Sequence, residues 1–248
     1  MMNLDFLHEE TTIQLDKRQS YLDIIRDALN KENKVRMAYR VVLIGQFAKD
    51  IDRSDYATHY QKLFKKEQSE AELITGILLT FRTSFIHVLE APKRIIYQFL
   101  EDVYANPEKA PDVPMTQNTR ILVLMDDISD RYFPFWASRV IEKDEPVKTD
   151  LQIMDEKAVD DLISGVCISM FKIGTSLSNL NRSEMKQAFE EISDRYSQYI
   201  PSGQLIHDLA SFNGIESVEE WIHEFHQGYM PIAMESELVW PAPKTLVI

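Results

Sequence analysis

The side chains that could bind a metal ion come in two close pairs. His223 and His226, in the run HEFH, lie three residues apart and would share one face of a helix. Asp126 and Asp127 form a doublet at the end of an apolar run. Neither pair has a recognisable third ligand, so surface histidines and a solvated strand end are the favoured interpretations. The sequence therefore predicts no metal site.

His87 and Glu90 lie in a different setting, the apolar run SFIHVLEAP at 84–92. A histidine there can line a ligand pocket, but a buried histidine satisfied by a neighbouring group is the favoured interpretation. Glu90 can act as an acid or base. Its place just before Pro92 favours capping or pairing near a helix start, where negative charge is stabilised.

Candidate nucleophiles occur without the partners that catalysis requires. Ser176 and Ser178, in GTSLSNLN, have no nucleophile-elbow pattern and no matching pair of histidine and acid. Cys167 falls within a wide apolar helical pattern and is expected to be buried and unreactive. A P-loop and a dinucleotide fingerprint are both missing from the sequence. We therefore predict that the chain is not an enzyme.

Composition restricts the class of protein further. With 248 residues, of which 44% are hydrophobic, the chain can bury a substantial core. The net charge of −13 disfavours nucleic acid and anionic membranes, and it suits docking on basic protein surfaces. A single cysteine indicates reducing, cytoplasmic surroundings. The sequence contains neither a secretory signal pattern nor the roughly 20 apolar residues that a membrane-spanning helix needs.

Apolar patterning predicts the elements that must position these residues. Five runs have the composition of strands, namely 39–47, 74–81, 84–91, 119–128 and 135–142. Arg82-Thr83 would join the second and third strands as a hairpin, and this two-residue link lacks the Gly or Asn that favours a tight turn. Helical spacing predicts helices over 12–33, 54–73, 92–107 and 156–180, and near 183–199, 201–211 and 217–227. Ser54 is the expected N-cap of the second helix, and Pro92 is expected in the first turn of the third.

The order strand, helix, strand, strand, helix, strand, strand indicates an α+β fold. It is the order of a ferredoxin-like split βαβ arrangement with an extra strand. Two helices would cover one face of the sheet, and the C-terminal helices would cover the other, because the strands are apolar on both sides. The predicted organisation is an N-terminal helical extension (1–37), a ferredoxin-fold domain (38–142), a helical region (143–230) and an extended tail (231–248).

Three short elements of the predicted domain, ITGILL, SFIHVLEAP and RYFPFW, resemble the BLUF domain, a flavin-binding blue-light sensor fold. The resemblance covers about residues 38–142, and it implies the same sheet with two helices on one face. The matching positions are Ile74, Thr75, Gly76, Phe85, Leu89, Glu90, Phe133 and Trp136.

The departures from this pattern fall on the positions that contact flavin in the family. The photoactive tyrosine position falls on Leu43, the glutamine on His87, the asparagine on Ser69, and the methionine that follows Trp136 on Ser138. Leucine has no redox-active ring, and imidazole does not combine a carbonyl and an amino group on one rotatable unit. The resemblance therefore implies a scaffold without light chemistry and without a cofactor. The alternative is a flavin-binding light or redox sensor, with FAD flanked by His87 and Trp136.

The VVLIG run, the altered BLUF pattern and the length are also similar to the testis-expressed protein 47 family. That likeness implies a structural protein of the motile cilium or sperm flagellum axoneme, with axonemal or cytoskeletal proteins as partners and neither nucleic acid nor membrane. The tail would dock on its own domain, the favoured interpretation, or on a partner. Its docking candidates are Leu238, Val239, Trp240, Leu246, Val247 and Ile248.

Overall fold

The computed structural model describes the central part of the chain. The residues described are 24, 27, 38–49, 51–69, 72–109, 115–142, 151 and 154–226, with the backbone alone for 105–109 and 226. The chain forms two compact units, Met1–Arg36 and Met37–Ile248. In the first unit, Ile24 and Asp27 are helical. The sheet, its helices and the candidate site all belong to the second unit.

The second unit contains a five-stranded sheet, with helices between and after its strands. The strands are β1 (Ala38–Phe47), β2 (Thr75–Thr80), β3 (Ser84–Pro92), β4 (Thr116–Ile128) and β5 (Trp136–Val140). The helices are α1 (Arg53–Glu67), α2 (Lys93–Lys109), α3 (Glu156–Ser178), α4 (Arg182–Glu190), α5 (Ile192–Arg195), α6 (Gly203–Ser211) and α7 (Val218–Trp221), and a π-helical turn (Ile222–His226) continues α7.

The strand order across the sheet is β4-β1-β3-β2-β5. Strand β1 pairs antiparallel with β3 and β4, and β2 pairs antiparallel with β3. These four strands, with α1 and α2 as crossovers, have the ferredoxin-like arrangement. Strand β5 is added at the edge, parallel to β2. The predicted α+β fold class is confirmed.

The two central strands are apolar on both faces because both faces of the sheet are covered. Successive side chains of a strand point to opposite sides, so alternate residues belong to different cores. Val41, Leu43, Phe85 and Leu89 pack with α1 and α2. The other core contains Val42, Ile44, Ile77, Leu79, Ile86, Val88 and residues of α3 to α6. The predicted cover of the second face by C-terminal helices is confirmed.

Polar side chains of the sheet fasten this C-terminal cover. Gln46 Nε2 donates to the His207 carbonyl at 3.0 Å, and Ser84 Oγ donates to the Gly203 carbonyl at 2.8 Å. At the β4 edge, the Arg120 guanidinium donates to the Ile215 carbonyl at 2.8 Å. These bonds satisfy carbonyls of α6 and of the loop that follows it.

Gly76 in β2 is a position at which the backbone requires glycine. Its φ is +145°, a conformation that L side chains rarely adopt, and a Cβ atom there would lie 2.0 Å from the Val88 carbonyl oxygen. The glycine of the ITG run therefore permits the close approach of β2 to β3.

Several predicted boundaries of the first helices are wrong. Asp52, and not Ser54, is the N-cap of α1, because the Asp52 carboxylate accepts a hydrogen bond from the Ser54 backbone N at 2.9 Å. Helix α1 ends at Glu67 rather than at 73, since a turn must precede β2. Pro92 is the last residue of β3 and not part of α2.

Later connections also differ from the prediction. The link between β2 and β3 has three residues, 81–83, and is closed by Phe81 N donating to the Ser84 carbonyl at 2.8 Å. The predicted helix near 183–199 divides into α4 and α5 at Glu191. The last predicted helix becomes the short α7, whose Ser217–Glu220 capping box is present, and a π-helical turn. Most of the predicted helix 12–33 and all of the tail 231–248 lie outside the described residues.

Candidate functional site

Neighbouring strands bring Leu43 and His87 directly opposite each other. They are register partners in the β1–β3 pair, and both are fully buried. The alternation of the strands turns both side chains towards α1 and α2. The two positions at which this sequence departs most from the BLUF pattern therefore lie side by side in the core.

His87 is held as a neutral imidazole. Trp136 Nε1, from β5, donates to His87 Nε2 at 3.0 Å. Because Nε2 accepts this bond, the ring proton lies on Nδ1, and Nδ1 has no hydrogen-bond partner among the described residues. Burial lowers the pKa of His87 from 6.5 to about 3. The neighbouring group predicted to satisfy this histidine is Trp136, and it hydrogen-bonds Nε2 but not Nδ1.

Aromatic rings surround His87 on the side of the two helices. The contacting rings belong to Tyr56, Tyr60, Phe64, Phe99 and Trp136, with centroids 4.9–6.2 Å from the imidazole. The hydroxyls of Tyr56 and Tyr60 are buried without a hydrogen-bond partner in the described part of the chain. Their burial raises both pKa values well above 10, so both phenols stay protonated.

Helices α1 and α2 touch each other directly over this cluster. The rings of Tyr60 and Phe99 lie 5.1 Å apart, centroid to centroid, and those of Phe64 and Phe99 lie 6.0 Å apart. Nearer the surface, His59 Nε2 lies 2.7 Å from Asp102 Oδ2. This hydrogen bond raises the pKa of His59, and burial opposes the rise.

The other two altered BLUF positions lie outside this cluster. Ser138 lies two residues after Trp136 on β5 and lines an open groove of about 510 Å³ beside α1, together with Phe64 and Lys65. Ser69 is exposed in the turn after α1, where its hydroxyl accepts a hydrogen bond from the Glu72 backbone N at 3.1 Å. The structure therefore brings together Leu43, His87 and Trp136, and it places Ser69 in a surface turn.

A buried ion pair on the opposite face of the sheet was missed by the sequence analysis. Glu90 Oε1 accepts from Arg40 Nε at 2.8 Å, and both side chains are buried. Glu90 also accepts from the Thr75 hydroxyl at 2.8 Å and from the backbone N of Tyr132 and Phe133 at 2.9 and 3.2 Å.

The role of Glu90 is therefore to fix the β4–β5 loop to the sheet, and of the two predicted roles, capping and pairing, the structure has the pairing. The Arg40 guanidinium stacks 3.8 Å above the Tyr132 ring and donates to the Asp130 carbonyl at 2.8 Å. Hydrophobic periodicity does not predict this ion pair. The sequence feature that could have indicated it is one charged residue in each of two apolar strands, Arg40 in β1 and Glu90 in β3.

The other residues considered as nucleophiles or metal ligands lie in the core, in hydrogen bonds to the backbone, or on the surface. Cys167 is buried, as predicted, and this burial raises its pKa to about 12 and leaves the thiol protonated. Ser178 Oγ donates to the Tyr132 carbonyl at 2.6 Å. His223 contacts the Tyr104 ring, and the Asp126–Asp127 doublet is exposed. Among the described residues, no three His, Cys, Asp or Glu side chains are grouped so that they could hold a metal ion.

A family model decides where this architecture belongs. The model described as testis-expressed protein 47 matches residues 37–227, which is most of the chain and includes every strand and helix described above for the second unit. The chain belongs to the testis-expressed protein 47 family. In this member of the family, the matched region contains both the aromatic cluster around His87 and the Glu90 ion pair. The resemblance to this family found in the sequence is confirmed.

Solved structures similar to this family member include BLUF proteins and a light-regulated cyclase. "BlrB - a BLUF protein, dark state structure" is 18% identical and covers 44% of this chain and 74% of its own, with a TM-score of 0.34. The "BlrP1 BLUF" structure is 17% identical and covers 64% and 94%, with a TM-score of 0.33. A bacterial light-regulated adenylyl cyclase is 23% identical, with a TM-score of 0.34, and the match spans 34% of its length.

Within the described residues of this family member, no helix is both long and apolar enough to cross a membrane. The tail candidates for docking, Leu238, Val239, Trp240, Leu246, Val247 and Ile248, lie outside the described residues, so their role stays a prediction.

Proposed function

We propose that this testis-expressed protein 47 family member is a non-enzymatic structural and interaction protein of the motile cilium or sperm flagellum axoneme. Its BLUF-like domain would have lost flavin photochemistry and would serve as a folded scaffold in the cytoplasm. Neighbouring axonemal or cytoskeletal proteins would dock on its surface. The family's description as testis-expressed supports a role in sperm.

The observation that carries this proposal is the direct aromatic contact between α1 and α2. Phe99 lies against both Tyr60 and Phe64, 5.1 and 6.0 Å away between centroids. A planar isoalloxazine ring between the two helices would have to displace these rings from a close-packed core. Leu43 also offers no phenol for electron transfer to a flavin. The residues present therefore do not fit a flavin at this position.

The use of the buried polar groups supports a role without catalysis. Arg40 and Glu90 satisfy each other and the backbone of the β4–β5 loop. Catalysis needs polar groups that converge on a place where a substrate can lie. These groups instead converge on the protein's own backbone.

The charge of the chain bears on the kind of partner. A net charge of −13 suits basic protein surfaces and does not suit the acidic outer face of a microtubule. We therefore place this protein on adaptor or accessory proteins of the axoneme rather than directly on tubulin.

Absorption spectroscopy of the purified full chain tests the loss of flavin. We expect a colourless preparation that takes up neither FMN nor FAD when either is added in excess. The matched control is the double variant Leu43→Tyr with His87→Gln, which restores the two photoactive side chains without enlarging the space between α1 and α2. Flavin absorption in the native preparation would contradict the proposal.

Proximity labelling in ciliated cells tests the cellular role. A labelling enzyme fused to the full chain should mark axonemal proteins more strongly than the same enzyme expressed alone. Recovery of only non-ciliary neighbours would contradict the axonemal part of the proposal and leave the flavin result standing.

A flavin-binding sensor is the second candidate, and one observation favours it. His87 Nδ1 is a buried donor without a partner among the described residues, close to Trp136. A bound ligand with an acceptor atom would satisfy it. Flavin uptake in the titration above, weakened by His87→Leu, is the result that this candidate requires.

A further inference from the structure

Outward-facing backbone groups line the edge of the sheet at β5, and in the described part of the chain the Ser138 carbonyl is the only one with a partner, the Arg139 guanidinium at 3.3 Å. The Phe135 carbonyl accepts from Gly76 N at 3.2 Å, and Ile141 N donates to the Thr80 carbonyl at 2.8 Å. Because backbone groups alternate in direction along a strand, those of Trp136, Ser138 and Val140 point away from β2. An open edge of this kind is a template for a further strand, and proteins commonly protect it.

Two grooves follow β5, one on each face of the sheet. The α1 groove has a volume of about 510 Å³ and contains Phe64 and Trp136. The α4 groove has a volume of about 430 Å³ and contains Phe135, Met185 and Phe189. A strand added to β5 would direct alternate side chains into the two grooves.

Large apolar side chains are exposed at both ends of this edge. Phe135, just before β5, is 39% exposed, and Val140, its last residue, is 45% exposed. Exposed apolar residues beside an unpaired strand edge are the combination that peptide recognition by strand addition uses.

The charges around β5 define the partner. Among the described residues that line the two grooves, four are basic and one is acidic: Lys65, Arg139, Arg182 and Lys186, against Glu190. The whole chain has the opposite bias, with 27 basic and 40 acidic residues. A basic edge on an acidic protein attracts an acidic segment. A second copy of the same edge would oppose basic groups to basic groups, which disfavours a dimer formed through β5.

We propose that β5 is a docking edge for an extended acidic segment of a partner protein, which adds to the sheet as a sixth strand. Backbone hydrogen bonds to Trp136, Ser138 and Val140 would supply affinity. Apolar side chains of the segment would enter the two grooves, and its carboxylates would meet Lys65, Arg182 and Lys186. This docking rests on the proposed scaffold function and names the surface through which it would act.

A binding assay with the full chain and a fluorescent peptide of alternating Glu and Val tests this docking. The peptide should bind, whereas the same peptide with Lys for Glu, or with alternate backbone nitrogens methylated, should not. Ser138→Pro removes an outward N–H and should weaken binding about tenfold, while Ser138→Ala should bind like the native chain. The surface variant Arg182→Glu with Lys186→Glu should also weaken binding, and it provides a second test if the proline variant does not fold.

Three results would overturn the docking edge. They are no binding by the full chain, equal binding of the methylated peptide, and binding that emerges only when Trp240→Asp is introduced into the tail. The last result would identify the tail as the occupant of the edge. A flavin spectrum would remove the proposed scaffold function without changing the peptide result, so the two failures are distinguishable.

Discussion

The burial of His87 makes the stability of the protein depend on pH. Burial lowers its pKa to about 3, whereas the unfolded chain has a value near 6.5. Below pH 6.5 the unfolded chain therefore binds a proton that the folded chain does not, and stability falls as the pH decreases towards 3. We expect His87 to reduce the free energy of unfolding by about 2 kcal/mol at pH 5 relative to pH 7.5. Urea denaturation at the two pH values measures this difference.

The matched control for this prediction is His87→Gln, which retains an acceptor for Trp136 but does not titrate. The variant should lose the part of the pH dependence that His87 supplies. His59 has the opposite sign, because its pKa is raised: its contribution is present below pH 6.5 and is lost as the pH rises through the raised value. Both proteins keep His59, so its effect cancels. An identical pH dependence in the two proteins would contradict the assignment.

The ion pair between Arg40 and Glu90 should tolerate joint replacement better than the loss of one partner. Glu90→Leu leaves a buried, unpaired guanidinium, and we expect it to destabilise the fold by about 3–5 kcal/mol. The double variant Arg40→Met with Glu90→Leu should be less destabilised than Glu90→Leu alone. Thermal and urea denaturation of the single and double variants form the test, and a single variant with nearly native stability would contradict it.

For single side chains, the sequence predicted which residues are buried better than it predicted their hydrogen-bond partners. His87 and Glu90 were recognisably placed in a buried strand, but their partners lie 49 and 50 residues away along the chain. Periodicity reports which side of a strand is covered, and it carries no information about which distant side chain lies there. The direct opposition of Leu43 and His87 likewise depends on strand register, which only the folded sheet defines.

Helix α3 contains two glycines in contrasting surroundings, and this allows a matched comparison. A Cβ atom on Gly174 would lie 2.9 Å from the buried Phe133 ring, whereas one on Gly165 would meet nothing within 4 Å. Gly165→Ala should stabilise the protein by up to about 1 kcal/mol, because alanine favours helix. Gly174→Ala should destabilise it by about 1–3 kcal/mol through overpacking. Differential scanning calorimetry of both variants measures these shifts, and stabilisation by both would show that Phe133 has room to move.

The elements themselves were largely predictable, and their ends were not. The existence of the five strands and of α1 to α3 followed from apolar spacing over many residues. The ends depend on single side chains, such as Asp52 rather than Ser54 at the start of α1, and several residues near each boundary are chemically suitable caps. The division of α4 from α5 and the π-helical turn after α7 depend on tertiary packing that a short pattern does not encode.

For the whole molecule, the second face of the sheet requires the C-terminal helices. A chain that ends at residue 142 would expose the apolar residues that pack against α3 to α6, including Val42, Ile86 and Val88. We expect this truncated chain to be insoluble or to bind a hydrophobic dye strongly. A chain of residues 37–226 keeps the cover and should unfold in one cooperative transition, measured by far- and near-ultraviolet circular dichroism. A soluble, cooperatively folding 1–142 chain would contradict this interpretation.

The architecture of the molecule was predicted from the strand and helix order together with the apolar character of both strand faces. The docking edge at β5 was not, because a free edge is a property of the position of a strand in the sheet. The basic side chains around this edge come from α1, α4 and β5, which are distant from one another in the sequence. Their positive charge is opposite to the net negative charge of the chain, so composition does not reveal it.

The late position of α3 to α6 in the chain has a consequence for biosynthesis. The ribosome completes β1 to β5 before it makes α3 to α6, which cover the second face of the sheet. At a synthesis rate of about 5–20 residues per second, the interval between the last strand and these helices lasts several seconds. During that interval the apolar residues of the second face of the sheet are exposed to solvent in the nascent polypeptide. We expect chaperones to bind this protein during translation. We also expect a premature stop codon after β5 to yield a truncated protein that is rapidly degraded.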